Sequence, residues 1–244
     1  MIYRFLFFFL LFYSNFIFSQ ERIFVFKDEF VKEEDAFTMF GDSRTHFIFK
    51  MSGGSDWEDE EFLGRFKTIC SANKLSIQNA GFGGSTTSDW LRFLKQEDTK
   101  KENYHKRIVL MIGGNDVLRV AKNWTGIFSE SKSREITLDE IHARVVEIVS
   151  ILTSWDKEVI IQTHFYANPN VKTKYYSVVN EALNGLNQRL ISTYGEEKDK
   201  NISLVILPAS FPSILFIDKI HLNQFGYIYH ANFLHKELSR RCWW

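Results

Sequence analysis

The order in which short apolar runs alternate with longer stretches of helical spacing constrains this chain more than any other feature of it. Residues 36–40 form an apolar run that ends in Gly41-Asp42-Ser43, and residues 75–80 form a second that leads into the glycine loop 81–84. Residues 107–112, with 108–112 as their apolar core, are too short for a helix and stop at Gly113-Gly114. Residues 159–163 and 202–207 complete the set. Such nearly continuous apolar runs predict strands buried on both faces.

The intervening segments read as helices. After Ser55-Asp56, Phe62, Phe66 and Ile69 recur at helical spacing until Asn73. Either Thr86 or Thr87 caps a helix that carries Trp90, Leu91 and Leu94. Thr137 and Glu140 form a capping-box pair ahead of Ile141, Val145, Ile148, Val149 and Leu152 on one helix face. Residues 175–194 repeat the pattern through Val179, Leu183, Leu186 and Leu190, with Gly195 placed for a left-handed C-terminal cap, and residues 225–238 form the last helix. Strand and helix alternate throughout, which predicts an α/β domain: a three-layer α/β/α sandwich around a five-stranded parallel sheet. A length of 244 residues with no Pro/Gly/Ser-rich linker or repeat fits a single hydrophobic core.

Thirty basic and thirty acidic residues cancel, so the chain lacks the electrostatic footprint of a nucleic-acid or anionic-membrane binder. Residues 1–20 carry one cation, Arg4, then an apolar run over 5–13, then a mixed stretch ending in Ser19-Gln20. That is the layout of a secretory signal peptide, and Ser14-Asn15 interrupt the run before it reaches the roughly 20 residues that span a bilayer. The expected organisation is a signal peptide over 1–19 and a catalytic domain over 20–244, secreted or periplasmic, with retention of the segment as an anchor as the competing outcome. The two cysteines, Cys70 and Cys242, do not make a disulfide scaffold, although an oxidising compartment permits one bridge between them.

In a parallel sheet, ligands gather beyond the carboxyl ends of the strands, and Ser43, Gly84 and Asn115 all fall there. A serine hydroxyl needs a base to become a nucleophile, and the oxyanion formed by its attack needs fixed donors. Gly41-Asp42-Ser43, the glycine loop ending at Gly84, Gly113-Gly114-Asn115-Asp116, and Asp218 three residues before His221 supply those groups in order. Together these blocks resemble the SGNH or GDSL hydrolases, and the resemblance spans residues 41–221. It implies a flavodoxin-like SGNH fold and a serine esterase in which Ser43 attacks, His221 serves as base and then acid, and Asp218 orients the imidazole. It further implies an oxyanion hole built from the Ser43 and Gly84 backbone N–H groups and the Asn115 side chain, with Gly83 as the fallback for Gly84.

Arg44 departs from the apolar residue that many relatives place after the nucleophile. It either favours polar or anionic substrates or points to solvent or an acid such as Asp42 or Asp116. Asp42 itself reads as a hydrogen-bond acceptor in the turn. His164 follows the fourth strand and is a candidate for shaping the pocket, with His46 near the same rim, whereas His105, His142, His230 and His235 read as helix-face or connection residues. No histidine pair has zinc-ligand spacing, so neither metal nor cofactor is expected. The expected substrate is a small-molecule or carbohydrate ester with a short acyl group such as acetyl. A lysophospholipase or thioesterase-like activity and a non-catalytic polysaccharide-binding relative are the alternatives. Residues 122–134 and 165–174 are the expected substrate walls, and oligomeric state is left open.

Overall fold

The computed structural model describes residues 36–45, 76–96, 101–125, 136–196 and 199–239. The segment 1–19, the helix expected after Asp56, both cysteines, His46 and residues 126–134 lie outside them.

Five strands, β1 (Ala36–Gly41), β2 (Ser76–Gly81), β3 (Arg107–Met111), β4 (Glu158–Gln162) and β5 (Ile202–Val205), form one sheet in the order β2-β1-β3-β4-β5. Every neighbouring pair is parallel. The order is the doubly wound, flavodoxin-like one, in which the connection reverses direction between β1 and β3 and leaves a crevice there. Register fixes the level of that crevice, because Gly41 pairs with Gly81 on one side and with Met111 on the other. Three loops therefore leave the sheet side by side.

Side chains alternate across the pleat and divide the core in two. Phe40, Ile108, Leu110, Val159, Ile161 and Leu204 face one layer of helices: α1 (Thr87–Leu94), α2 (Gly114–Thr125), α3 (Leu138–Ser154) and α4 (Lys174–Tyr194). Phe37, Met39, Val109, Met111, Ile160 and Val205 face the other side, where α5 (Gln224–Ser239) contributes Tyr227, Ala231 and Leu234. Crossover helices must cover both faces of a parallel sheet, which is why its strands lack a polar face. Among the described residues no helix is long and apolar enough to cross a membrane.

Helix starts follow local chemistry. The Thr137–Glu140 capping box opens α3 as predicted. For α1, Thr86 is the cap and forms a reciprocal box with Asp89, while Thr87 is the first helical residue. The expected left-handed cap at Gly195 is not formed. Its φ is −68°, and its N–H bonds the Ile191 carbonyl at 2.7 Å, so an ordinary right-handed turn already satisfies that carbonyl.

Among the described residues, two histidines are fully buried. His164 holds the Ile112 carbonyl through Nε2 at 2.9 Å, and His230, on α5, meets the Gln162 side chain at 2.9 Å. Burial, reinforced by the nearby Arg44 charge, pushes their pKa values down to about 3 and about 4 respectively. The unfolded chain, with imidazoles near 6.5, binds protons that the native state refuses, so this stability is complete above about pH 6.5 and is lost as pH falls toward the native values. Each site contributes up to about 1.4 kcal/mol per pH unit within that window. Melting midpoints recorded from about pH 7 to about pH 4 should therefore drop progressively, and a flat profile would refute this account.

Candidate active site

Ser43 sits in a short helical turn directly after β1, and the turn is tight because of Gly41. A Cβ at Gly41 would lie 1.9 Å from Thr45 Oγ1 and 2.8 Å from the Met111 carbonyl, so no other residue fits between the two strand ends. The Asp42 side chain then locks the turn. Its Oδ1 accepts the Arg44 N–H at 2.9 Å, and the carboxylate also receives the backbone N–H of Gly114, joining the loop after β1 to the loop after β3. Burial raises the Asp42 pKa, against the opposing influence of Arg44 and these N–H groups.

From the far end of the chain, a small hairpin brings in the base. The Phe216–Leu222 bridge and the Ile217 N–H to His221 carbonyl bond, 3.0 Å, close it. At its tip, Asp218 Oδ1 accepts the backbone N–H groups of Ile220 and His221, each at 2.7 Å, while Oδ2 meets His221 Nδ1 at 2.7 Å. His221 Nε2 lies 2.9 Å from Ser43 Oγ. The chain of contacts is continuous from carboxylate to hydroxyl. Partial burial alone would raise the Asp218 pKa, but the hydrogen bonds from the His221 ring and the two backbone N–H groups prevail and hold it below the ordinary value. Asp218 therefore stays ionised and favours the tautomer with the proton on Nδ1, in which Nε2 is the acceptor toward Ser43 Oγ.

Two further loops leave the sheet level with the one that carries Ser43, after β2 and after β3. In the turn closed by the Ser85 N–H to the Phe82 carbonyl, Gly84 has φ 75°, a left-handed conformation that suits glycine. Among the described residues its own N–H has no partner. Ser85 anchors this turn by donating to the Phe82 carbonyl at 2.8 Å and accepting the Trp90 indole N–H at 3.1 Å. After β3, Gly113 at φ 107° turns the chain into α2. Asn115, in the first turn of α2, spends one amide hydrogen on the Ser85 carbonyl at 2.9 Å, which leaves the other for the pocket it lines with Ser43. The four sequence blocks thus meet, with Gly84 rather than Gly83 carrying the left-handed turn.

Several supports were invisible in the sequence. Asp116 turns away from the site, accepting the backbone N–H and the hydroxyl of Thr87 at 2.8 and 3.1 Å, so it pins α1 to α2. Asn187 clamps the His164 backbone, accepting its N–H and donating to its carbonyl, both at 2.7 Å. His164 in turn holds the Ile112 carbonyl just before the Gly113–Asn115 turn, so it shapes the site from below. His105 lies at the amino ends of the strands, His142 pairs with Thr193 on the outer helices, and His230 packs between α5 and the sheet.

The pocket beside Ser43 is a small depression walled by Leu118 from α2, Val179 and Leu183 from α4, and Ile220 from the hairpin. Three of these four wall side chains come from helices. Of the expected substrate walls, the loop 165–174 braces the hairpin, with the Asn168 N–H donating to the Lys219 carbonyl at 2.9 Å, and residues 126–134 lie outside the described residues.

Arg44 forms part of the pocket floor but is only 5% exposed. Its guanidinium stacks 4.2 Å from the Phe165 ring centroid and donates to the Phe165 carbonyl at 2.9 Å. It lies within electrostatic reach of Asp42, one of the two acids weighed from the sequence, without an ion-pair contact to it; it neither points to solvent nor stands free to select anionic substrates. Removing one partner of a buried charge pair leaves the other uncompensated. Arg44→Ala should lower unfolding free energy by about 3–5 kcal/mol, and Arg44→Met combined with Asp42→Asn should recover much of it. Denaturant titration that finds Arg44→Ala as stable as the parent would refute the pairing.

Residues 39–228 match the profile of the GDSL-like lipase/acylhydrolase family. Solved structures with the same fold include an acetylxylan esterase from Geobacillus stearothermophilus, at 19% identity, with 85% of this chain and 96% of that one covered and a TM-score of 0.58. A lipase/acylhydrolase from Enterococcus faecalis aligns at 20% identity over 84% of this chain and 96% of that one, with a TM-score of 0.54. A putative acylhydrolase from Bacteroides fragilis aligns at 18% identity over 87% and 90%, with a TM-score of 0.53. At such identities the likeness speaks for the fold. A search of curated protein sequences finds no match. Because the family profile runs through the sheet and all the motifs on its carboxyl rim from β1 into α5, the chain belongs to the GDSL-like lipase/acylhydrolase family and is a carboxylic ester hydrolase.

Proposed function

We propose that the protein is an exported serine esterase that removes short acyl groups, acetyl on carbohydrate in particular, by way of an acyl-enzyme on Ser43. The observation that carries this reading is the unbroken contact chain from Asp218 through His221 to Ser43. Ser43 Oγ attacks the ester carbonyl as its proton passes to His221 Nε2, and Asp218 stabilises the resulting imidazolium. The carbonyl oxygen, now an oxyanion, is met by the Ser43 and Gly84 N–H groups and by the second amide hydrogen of Asn115. The C–O bond to the alcohol breaks, and His221 returns the proton to the leaving oxygen. Water then repeats the sequence on the acyl-Ser43 ester, releasing the acid and restoring the hydroxyl.

The short apolar walls of Leu118, Val179, Leu183 and Ile220 support a small acyl group. The carbohydrate part of the proposal draws on the fold shared with the Geobacillus stearothermophilus acetylxylan esterase. Export draws on the signal-like composition of residues 1–19. N-terminal sequencing of protein recovered from the expression host should place the mature start near residue 20, and an intact Met1 on the exported protein would overturn cleavage.

Ser43→Ala should abolish hydrolysis of p-nitrophenyl acetate while leaving the melting temperature close to the parent's, since the hydroxyl contributes little packing. Retained turnover in pure protein would overturn the nucleophile assignment. Asn115→Ala should cost roughly 10²–10³ in kcat with little change in KM, because a donor aimed at the oxyanion is worth most in the transition state. A parent-like kcat combined with a lowered melting temperature would instead make Asn115 only a brace for the Ser85 carbonyl.

A further inference from the structure

We infer that the rim of the site carries a subsite for an anionic sugar, built from Lys219 on the Asp218–His221 hairpin and Tyr176 on α4. This deepens the carbohydrate-ester reading and rests on it.

The geometry starts from the pocket wall. Val179 lines the pocket, and one helical turn earlier on the same α4 face lie Tyr175 and Tyr176. Their rings meet edge to face with centroids 4.9 Å apart, and the Tyr175 hydroxyl donates to the carbonyl of Leu118, another wall residue, at 3.2 Å. Tyr176 is therefore held at a fixed place beside the acyl pocket and is left partly open to solvent. The Asp218 carboxylate is near enough to help burial keep the Tyr176 phenol protonated, which places the ring beside the hairpin that carries His221.

Lys219 follows Asp218 on that hairpin and is exposed. Its ammonium lies 5.7 Å over the Tyr176 ring, and among the described residues no carboxylate pairs with it. Its acidic neighbour Asp218 is committed to His221 and to two backbone N–H groups. Its backbone is fixed, because the Asn168 N–H holds the Lys219 carbonyl and the Asn168 side chain holds that of Asp218 at 3.3 Å. Lys172 and Lys174, exposed on the segment that leads from Asn168 into α4, extend the positive rim without carboxylate partners among the described residues. A neutral net charge makes this local excess a feature of the rim and not of the whole surface.

An aromatic face beside an ammonium that has no carboxylate partner among the described residues suits a pyranose ring that bears a negative charge. The ring's C–H face packs on Tyr176, and the anion draws the ammonium off the aromatic face into a charge-assisted hydrogen bond. Because the acyl group occupies the pocket below, the charged sugar belongs to the alcohol side of the ester. A uronic acid carboxylate and a sugar sulfate offer the same chemistry.

The test compares kcat/KM for acetylated methyl glucuronoside, acetylated methyl glucoside sulfate and neutral acetylated methyl glucoside, with p-nitrophenyl acetate as a check on turnover. In the parent protein at least one charged ester should exceed the neutral one by roughly three- to tenfold, through KM, and the preference should shrink with added salt. The two charged arms identify which anion is favoured. Lys219→Gln should bring the charged-to-neutral ratio to about one, Lys219→Arg should keep it above one, and Lys219→Glu should invert it. Equal kcat/KM on all three sugars in the parent, or a ratio that survives in Lys219→Gln, overturns the subsite while leaving the carbohydrate-ester reading intact. Cleavage of p-nitrophenyl acetate but of none of the sugars overturns both.

Discussion

The structure depends on one register. Gly41 stands level with Gly81 and with Met111 across the middle of the sheet, so three chain segments leave the same edge at the same height. Parallel strands make this possible, because all five present their carboxyl ends to one side. A shift of one residue in β1 would also exchange Phe37 and Met39 for Thr38 and Phe40 across the two core layers. The hydrophobic pattern that stabilises the sheet thus also places Ser43 between the Gly84 turn and Asn115. Fold and site are specified by the same residues.

Closeness of strand ends does not by itself orient a side chain, and polar ties do that work. Asp42 joins the turn after β1 to the start of α2, Asn115 joins α2 to the turn after β2, and Asp116 joins α2 to α1. Each is a buried or half-buried polar group with its partners in place, so each specifies geometry where an apolar contact would permit sliding. Arg44 completes the arrangement by setting a cation against Asp42 and anchoring to the Phe165 carbonyl. A buried pair of this kind gains little net stability over an apolar substitute. Its value here lies in holding the residues on either side of Ser43.

Much of this was legible in the sequence, and the parts that were not share a cause. The strands were readable because burial on both faces writes itself as short apolar runs; each predicted run falls within two residues of the observed strand. Ser43, Gly84, Asn115, Asp218 and His221 stood out because each sits in a motif whose residue types match a chemical need, and the structure puts Ser43, His221 and Asp218 in contact and ties Asn115 to the residue after Gly84. The capping choice between Thr86 and Thr87 was open, since Asp116, on another element, occupies the Thr87 N–H. The Asn187 clamp on His164 and the burial of Arg44 were equally hidden. All three depend on which segments become neighbours, and local pattern carries no such information. Of the expected substrate walls, residues 126–134 lie outside the described residues, whereas Val179 and Leu183, which line the pocket, read in the sequence only as positions on a helix face.

Asn115 shows how the fold adds to what the motif provides. The Val117 N–H bonds the Gly113 carbonyl, so α2 begins at the turn that carries the asparagine. Its N-terminus therefore faces the crevice; Asp42 takes the Gly114 N–H, and the N–H groups after it keep the partial positive charge of a helix start. In the proposed mechanism negative charge gathers on the former carbonyl oxygen at that place, so the helix end and the Asn115 amide act in the same direction. Asp116, one residue on, would oppose them if it faced the oxyanion. Thr87 draws that carboxylate toward α1, and Arg144 lies 3.9 Å from it. The contact with Thr87 thus aims the Asp116 carboxylate away from the place where the proposed oxyanion forms.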